Sequence, residues 1–225
     1  MQALDLYAKI EPLIGFYDEY DKLYSRYLDI LESLHVKEIL DVGCGNGKFL
    51  RLLKDKNYKA KGIDRSKEMV KIALSHGVDA QNIELCDIEK KFDCVTAIGD
   101  VLNYMTKEEL HEFFSEVKNT LGGNRYFIAD INTLSGFEEV ADGLLLKEIK
   151  NQFLAIEADF EHGKLTTNIT LFEKEKENYK KYSNTIFQYY HPSEIFKNID
   201  GFELVSTFDI SMFGDLDKKI LVFKI

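Results

Sequence analysis

"ILDVGCGNGKFL", residues 39–50, decides the fold. An apolar run ends in Asp41. Gly43, Gly45 and Gly47 follow at alternating positions, and a helical pattern opens at Lys48. A glycine loop between a strand and a helix lets backbone amides approach a nucleotide closely. The spacing here is GxGxG. A dinucleotide fingerprint is GxGxxG, whose third glycine allows tight helix packing, and Lys48 stands at that third position. No GK[ST] follows, so a Walker phosphate loop is absent as well. Together with the acids at the strand ends, this spacing favours a nucleoside that carries no phosphate.

Working outward from the loop, apolar runs alternate with helical patterns. "VKEILDV" reads as a strand and "GKFLRLLKDK" as a helix. "YKAKGID" and "SKEMVKIALSHG" repeat the pair, the helix closing at Gly77. "QNIELCD" is a short strand and "FDCVTAIGD" a more buried one. "TKEELHEFFSEVKNTLGG" is a helix capped by Thr106, with Glu109 three residues on as a capping box and Gly122 as the stop. "RYFIADI" is a further buried strand. Upstream, residues 17–34 place Tyr20, Leu23, Tyr24, Tyr27, Leu28 and Leu31 at helical spacing. Strands alternating with helices argue for a parallel sheet covered on both faces.

After residue 131 the period changes to two. "LLLKEIK", "FLAIEADF", "KLTTNITLFEKE" and "NYKKYSNTIFQYY" read as three or four antiparallel strands without helices, with Leu154, Ile156, Ala158 and Phe160 on one face. The α/β pattern resumes with a short helix at "PSEIFKNID". "FELVSTFDI" and "KKILVFKI" finish the chain. About eight residues separate these two runs, fewer than the dozen or so a parallel crossover needs, so they pair antiparallel. The expected fold class is α/β: a mostly parallel seven-stranded sheet whose last strand is antiparallel, with a small antiparallel β cap inserted after strand five. The expected organisation is residues 1–131 as N-terminal helices and core, 132–190 as the cap, and 191–225 completing the core sheet.

Composition narrows the function. The 225 residues carry 29 basic and 39 acidic side chains, a formal charge of −10, which argues against nucleic acid as the main partner. No run approaches the ~18 apolar residues of a membrane span, and the first 20 residues lack the pattern of a secretory signal. Cys44, Cys86 and Cys94 are odd in number and lack CxxC spacing, which fits a reducing cytoplasm without a disulfide framework or metal site. Asp41, Asp64, Asp87, Asp100 and Asp130 each fall at or just past the carboxyl end of an expected strand, where open α/β sheets bind ligands. Five acids there favour a cationic ligand over a phosphate-rich one.

These residues resemble a known family. Ile39 to Tyr104 looks like the core of class I S-adenosylmethionine-dependent methyltransferases. "LDVGCGNGKF" resembles their first motif, and "GIDRSKEMV" the end of the second strand with its helix. "CDIEKKFDCVTAIGDVLNYM" resembles the third-strand acid and the fourth strand, and "VKNTLGGNRYFIADI" the helix and fifth strand, with Leu121 replacing a common proline. The cap is similar to insertions in small-molecule members. The resemblance implies a Rossmann-like three-layer sandwich, S-adenosylmethionine as cofactor with S-adenosylhomocysteine as product, and a small-molecule acceptor, in a monomer or homodimer. It implies that Gly43, Cys44, Gly45, Asn46 and Gly47 cradle the cofactor and that Asp41 orients the loop and the cofactor's amino group. Asp64 would accept from the ribose hydroxyls, Arg65 and Met69 would pack on the adenine, and Ser66 would also border the cofactor. Asp87, flanked by Cys86 and Ile88, would take the adenine amino group. Gly99 and Asp100 would line the methionine end, with Tyr17 or Tyr20 closing over it.

Methyl transfer needs alignment more than acid–base chemistry, so the cofactor is more legible than the acceptor. A base is needed only for a protonated nucleophile, and Asp100, Tyr104 and His191 are the candidates. Asp100 also reads as a helix or turn cap, and His191 as a cap or a surface residue. Tyr182, Ile186 and Tyr190 read as cap core before they read as an aromatic cage. Two alternatives remain, a non-catalytic cofactor-binding partner and a nicotinamide oxidoreductase; Lys48 and the acids count against the second.

Overall fold

A computed structural model of the chain describes residues 2–15 and 17–225, without the side chains of residues 17, 18, 123 and 124. Two helices come first, α1 (Ala3–Ile14) and α2 (Tyr17–Leu34). The core then alternates β1 (Glu38–Val42), α3 (Lys48–Asp55), β2 (Lys59–Ile63), α4 (Lys67–Ser75), β3 (Ala80–Gln81), β4 (Phe92–Ala97), α5 (Lys107–Thr120) and β5 (Leu121–Asn132). Four strands follow, β6 (Gly143–Ile149), β7 (Gln152–Glu161), β8 (Lys164–Glu175) and β9 (Asn178–Tyr189). The chain closes with β10 (Glu203–Ile210) and β11 (Lys218–Lys224).

Seven strands form one sheet in the order β10-β11-β5-β4-β1-β2-β3. Only β11 runs against the rest, pairing antiparallel with β10 and with β5. Successive strand residues alternate between two buried faces. Ile39, Cys94 and Ile128 pack under α2, α3 and α4, while Leu40, Val95 and Phe127 pack under α5. Burial on both faces is why these strands read as continuous apolar runs. Thr106 caps α5 in a reciprocal capping box with Glu109, as its spacing required.

The second sheet is antiparallel, in the order β6-β7-β8-β9. One of its faces holds Leu154, Ile169, Leu171 and Ile186, and Leu6 and Ile10 of α1 pack against them. Polar bonds tie α1 to the core: Ser66 Oγ donates to Asp5 at 2.8 Å, and Asn46 Nδ2 donates to Glu11 at 2.8 Å. α1 therefore bridges the two sheets.

Three details differ from expectation. The third strand is two residues long, not seven. Asn82 Nδ2 donates to the carbonyls of Asp64 and Arg65 at 2.8 and 2.9 Å, which ends the ladder after Gln81. A reciprocal Glu84–Asp87 box then opens a 3-10 turn at Leu85–Asp87. Gly122 does not stop α5. Buried Leu121 carries the chain straight into β5, and a Cβ at Gly122 would lie 2.8 Å from that of Lys91. Finally, the segment before β6 contains a π-helical turn, Gly136–Ala141, where a side chain on Gly136 would collide with the Asp217 carbonyl.

Candidate functional site

Gly43, Gly45 and Gly47 all have positive φ, at 71°, 51° and 77°, which favours glycine at each position. A Cβ on Gly43 would sit 2.7 Å from Val101, and one on Gly47 would sit 2.9 Å from the Cβ of Ala73. The first glycine admits the β4 side of the cleft, and the third lets α4 pack close. The third-glycine function is thus supplied one residue before Lys48.

Asp64 fixes the loop from β2. Its carboxylate accepts from the Gly45 amide at 2.9 Å and the Ser66 amide at 2.7 Å. Burial raises its carboxyl, against those two amides, which favour the anion. Asp41 is fully buried beneath the loop and accepts from Thr96 Oγ1 at 2.7 Å. Burial pushes it up to about 7, against the Thr96 bond and with the charges of Asp64 and Asp130 adding to the rise.

The opposite wall is the turn after β4. Asp130 accepts from the amides of Gly99 and Asp100 at 2.9 and 3.1 Å and from the Tyr27 hydroxyl at 2.8 Å. Asp100 stands at φ 67° and is bonded through Oδ1 to the buried Lys218 ammonium. Lys218 Nζ also donates to Asn132 Oδ1 at 2.9 Å and lies 3.6 Å from Asp130. Burial works against the ammonium and also raises the Asp130 carboxyl. Asp100 and Asp130 outweigh burial at Lys218 and hold its pKa above the ordinary value. With three donors on Asp130, the contacts support the charged pair. Sequence reasoning missed Lys218, which sits at the start of the closing strand with nothing in its local pattern to mark it as buried.

Three connected chambers meet along this wall. The first, about 210 Å³, runs between Gly43, Ile63–Arg65, Leu85, Val101 and Phe113. The second, about 250 Å³, holds Glu11, Tyr24, Asp41, Cys44–Asn46 and Gly99. The third, about 480 Å³, lies under the second sheet and is walled by Ile156, Ile169, Ile186, Gln188, Asn132 and Lys218. Tyr7 and Tyr104 border all three, and Tyr20 and Asp100 border the second and third.

The expected residues fall into three groups. Tyr20, Asp41, Gly43, Cys44, Gly45, Asn46, Asp64, Arg65, Ser66, Met69, Gly99, Asp100 and Tyr104 line the chambers. Gly47 stands just behind them at the head of α3. The Tyr17 side chain lies outside the described residues. Cys86, Asp87 and Ile88 are displaced. The 3-10 turn engages Asp87 with the Glu84 amide at 3.2 Å, and Asp87 and Ile88 border a separate hollow with Lys61 and Gln81. Cys86 points outward and is exposed. Ile83, Glu84 and Leu85 take the wall that Asp87 was expected to form. His191 is buried outside the chambers, with Nε2 2.9 Å from the Met105 carbonyl, and its ring packs edge-on to Phe196. That contact ties the imidazole to the Met105 carbonyl, and His191 lines none of the three chambers. The Tyr104 phenol is pushed well above its ordinary value by burial, with Tyr7 and Asp100 adding to it, so it keeps its proton at neutral pH.

Residues 39–123 match the family model described as a methyltransferase domain. The core has a methyltransferase-like fold. The methyltransferase fold extends through the second sheet. The chain is similar to an S-adenosylmethionine-dependent methyltransferase from Clostridium acetobutylicum ATCC 824, at 20% identity and TM-score 0.80 over 98% of this chain and 99% of that one. It is also similar to the sugar N-methyltransferase KedS8 from Streptoalloteichus sp ATCC 53650, at 16% identity and TM-score 0.73 over 99% and 92%. Among curated relatives, "Putative methyltransferase YqeM" of Bacillus subtilis (strain 168) is 31% identical over 56% of this chain and 58% of its own length. The matches to the curated relatives span between 51% and 59% of those proteins. No helix among the described residues is long and apolar enough to cross a membrane.

Proposed function

We propose that this chain is an S-adenosylmethionine-dependent methyltransferase acting on a small-molecule acceptor. Its core would be residues 1–131 and 191–225, and its cap residues 132–190. The observation that carries the reading is the glycine cradle closed on Asp64 beside a larger chamber under the cap. Glycines at 43 and 99 leave room on both walls, and Asp64 retains lone pairs beyond its two amide donors. The acids Asp41 and Asp64 suit a ligand carrying an ammonium, a sulfonium and a ribose diol. When bound, the cofactor supplies a methyl group on a sulfonium with a thioether leaving group.

The chain's own residues divide the remaining work. Asp64 would hold the ribose hydroxyls, Arg65, Met69 and Leu85 would border the adenine, and Asp41 with Asn46 would face the methionine end. Asp130 and Lys218 would fix the Gly99–Asp100 turn where cofactor and acceptor chambers meet. Alignment of this kind can supply roughly 7–11 kcal/mol of the barrier. Asp100, whose side chain borders both the second and third chambers, is the candidate base on that junction. The likeness to a sugar N-methyltransferase supports a small-molecule acceptor.

The test is a screen of amines, phenols, carboxylates and nucleosides with S-adenosylmethionine, reading S-adenosylhomocysteine by mass spectrometry. Turnover with at least one class is expected. Cofactor binding without turnover of any class would favour a non-catalytic partner instead.

A further inference from the structure

The third chamber has a distinctive chemical lining. Its walls are mainly apolar, from Ile156, Ile169 and Ile186 of the second sheet to Val140 and Leu145 near its mouth. Lys218 is the one cationic side chain among its described lining residues, and it is already engaged by Asp100, Asn132 and Asp130. Asp217 is engaged by the amides of Met212 and Phe213 at 2.6 and 3.0 Å. An anionic or phosphorylated ligand would therefore find no available counter-charge, which costs several kcal/mol for a desolvated charge.

The junction with the cofactor chambers is the reverse. Asp100 is held by Lys218 through one oxygen. Its other oxygen, Oδ2, has no protein donor among the described residues, and the side chain borders both chambers. Around it stand the phenols of Tyr7, Tyr20 and Tyr104. None of the three hydroxyls makes a hydrogen bond to a described residue. Burial raises all three, and the Asp100 charge adds to each. They are neutral rings gathered near a carboxylate, a surrounding that stabilises a cationic nitrogen.

We infer that the acceptor is a phosphate-free amine with an apolar body, its nitrogen held at Asp100 within the Tyr7–Tyr20–Tyr104 collar and its body under the cap sheet. This rests on the methyltransferase reading above. The arriving ammonium gives a proton to Asp100 Oδ2 and thence to water. The freed lone pair forms a bond to the methyl carbon as the carbon–sulfur bond breaks, leaving a thioether and a methylammonium. The positive charge moves from sulfur to nitrogen, and the collar suits the cationic product as it suits the substrate.

The experiment has a binding arm and a turnover arm, both preceded by calorimetry with S-adenosylhomocysteine. With that product bound, phenylalkylamines are titrated beside the matched alcohols and beside analogues bearing a phosphate on the apolar body. The amines should bind at least about 10-fold more tightly than either comparison set. Asp100→Asn should weaken amine binding at least about 10-fold while changing S-adenosylhomocysteine affinity less. With S-adenosylmethionine the same amines should give product. Equal or better binding of alcohols or phosphorylated analogues would overturn the inference. So would amine binding unchanged in Asp100→Asn, or no amine turnover by a protein that binds the cofactor. Turnover of phenols or carboxylates alone would overturn it and leave the methyltransferase reading standing. Absence of cofactor binding would remove both.

Discussion

Lys218 is the residue on which the site's electrostatics turn. It neutralises Asp100 and Asp130 from the first position of a buried strand, so the acidic rim is less acidic than its five aspartates suggest. Lys218→Met leaves two carboxylates facing each other. Burial already raises Asp130, and a raised carboxyl contributes stability at low pH that is lost as pH rises through its folded value. The variant should lose about 3–5 kcal/mol at pH 8 and clearly less at pH 5, read by urea denaturation. An equal deficit at both would contradict the account. Asp41 carries the same sign. Its contribution is full below about pH 4 and lost as pH passes about 7, so Asp41→Asn should flatten the fall in cofactor-free stability between pH 5 and 8. A variant that declines as steeply as the parent would remove Asp41 from that role. The glycines and Asp64 were legible because backbone geometry demands them at fixed spacing. Lys218 and Tyr7 were not, because their roles come from partners distant in sequence: Asn132 lies 86 residues and Asp100 118 residues before Lys218.

Among elements, α1 joins the two halves of the site. Its apolar side rests on the second sheet through Leu6 and Ile10, and Leu4, Tyr7 and Glu11 border the cofactor chambers. Removing the cap would strip α1 of its packing partner, so the cap and the cofactor chambers are coupled. Ile10→Ala should cost about 2–5 kcal/mol of packing and weaken the cofactor along with it. Unchanged S-adenosylmethionine affinity, measured by calorimetry, would show that α1 does not shape the cleft. Long periodic elements such as α2, α5 and the four cap strands could be read directly. The short third strand could not. Its end is set by Asn82, whose side chain takes two carbonyls that a further strand residue would have met, and that displacement moved Asp87 out of the cleft and Leu85 into it.

Over the whole molecule, a sheet buried on both faces sets a phosphate-poor cradle at its carboxyl edge, and an antiparallel sheet with α1 roofs it. The reversed β11 follows from a short connection, and it is also what brings Lys218 to the edge where the ligand chambers open. The net charge of −10 adds to the preference for a cationic ligand over a nicotinamide dinucleotide with its pyrophosphate. The central claim is that the cleft holds S-adenosylmethionine through Asp64. Isothermal titration of the full chain with S-adenosylmethionine, beside NADH, tests it most directly. One-to-one binding of the former, no binding of the latter, and at least about 100-fold weaker binding to Asp64→Ala are expected, since two charge-assisted bonds of ~1.5 kcal/mol or more each are lost. No S-adenosylmethionine binding at millimolar ligand, or an Asp64→Ala affinity equal to the parent's, would contradict it.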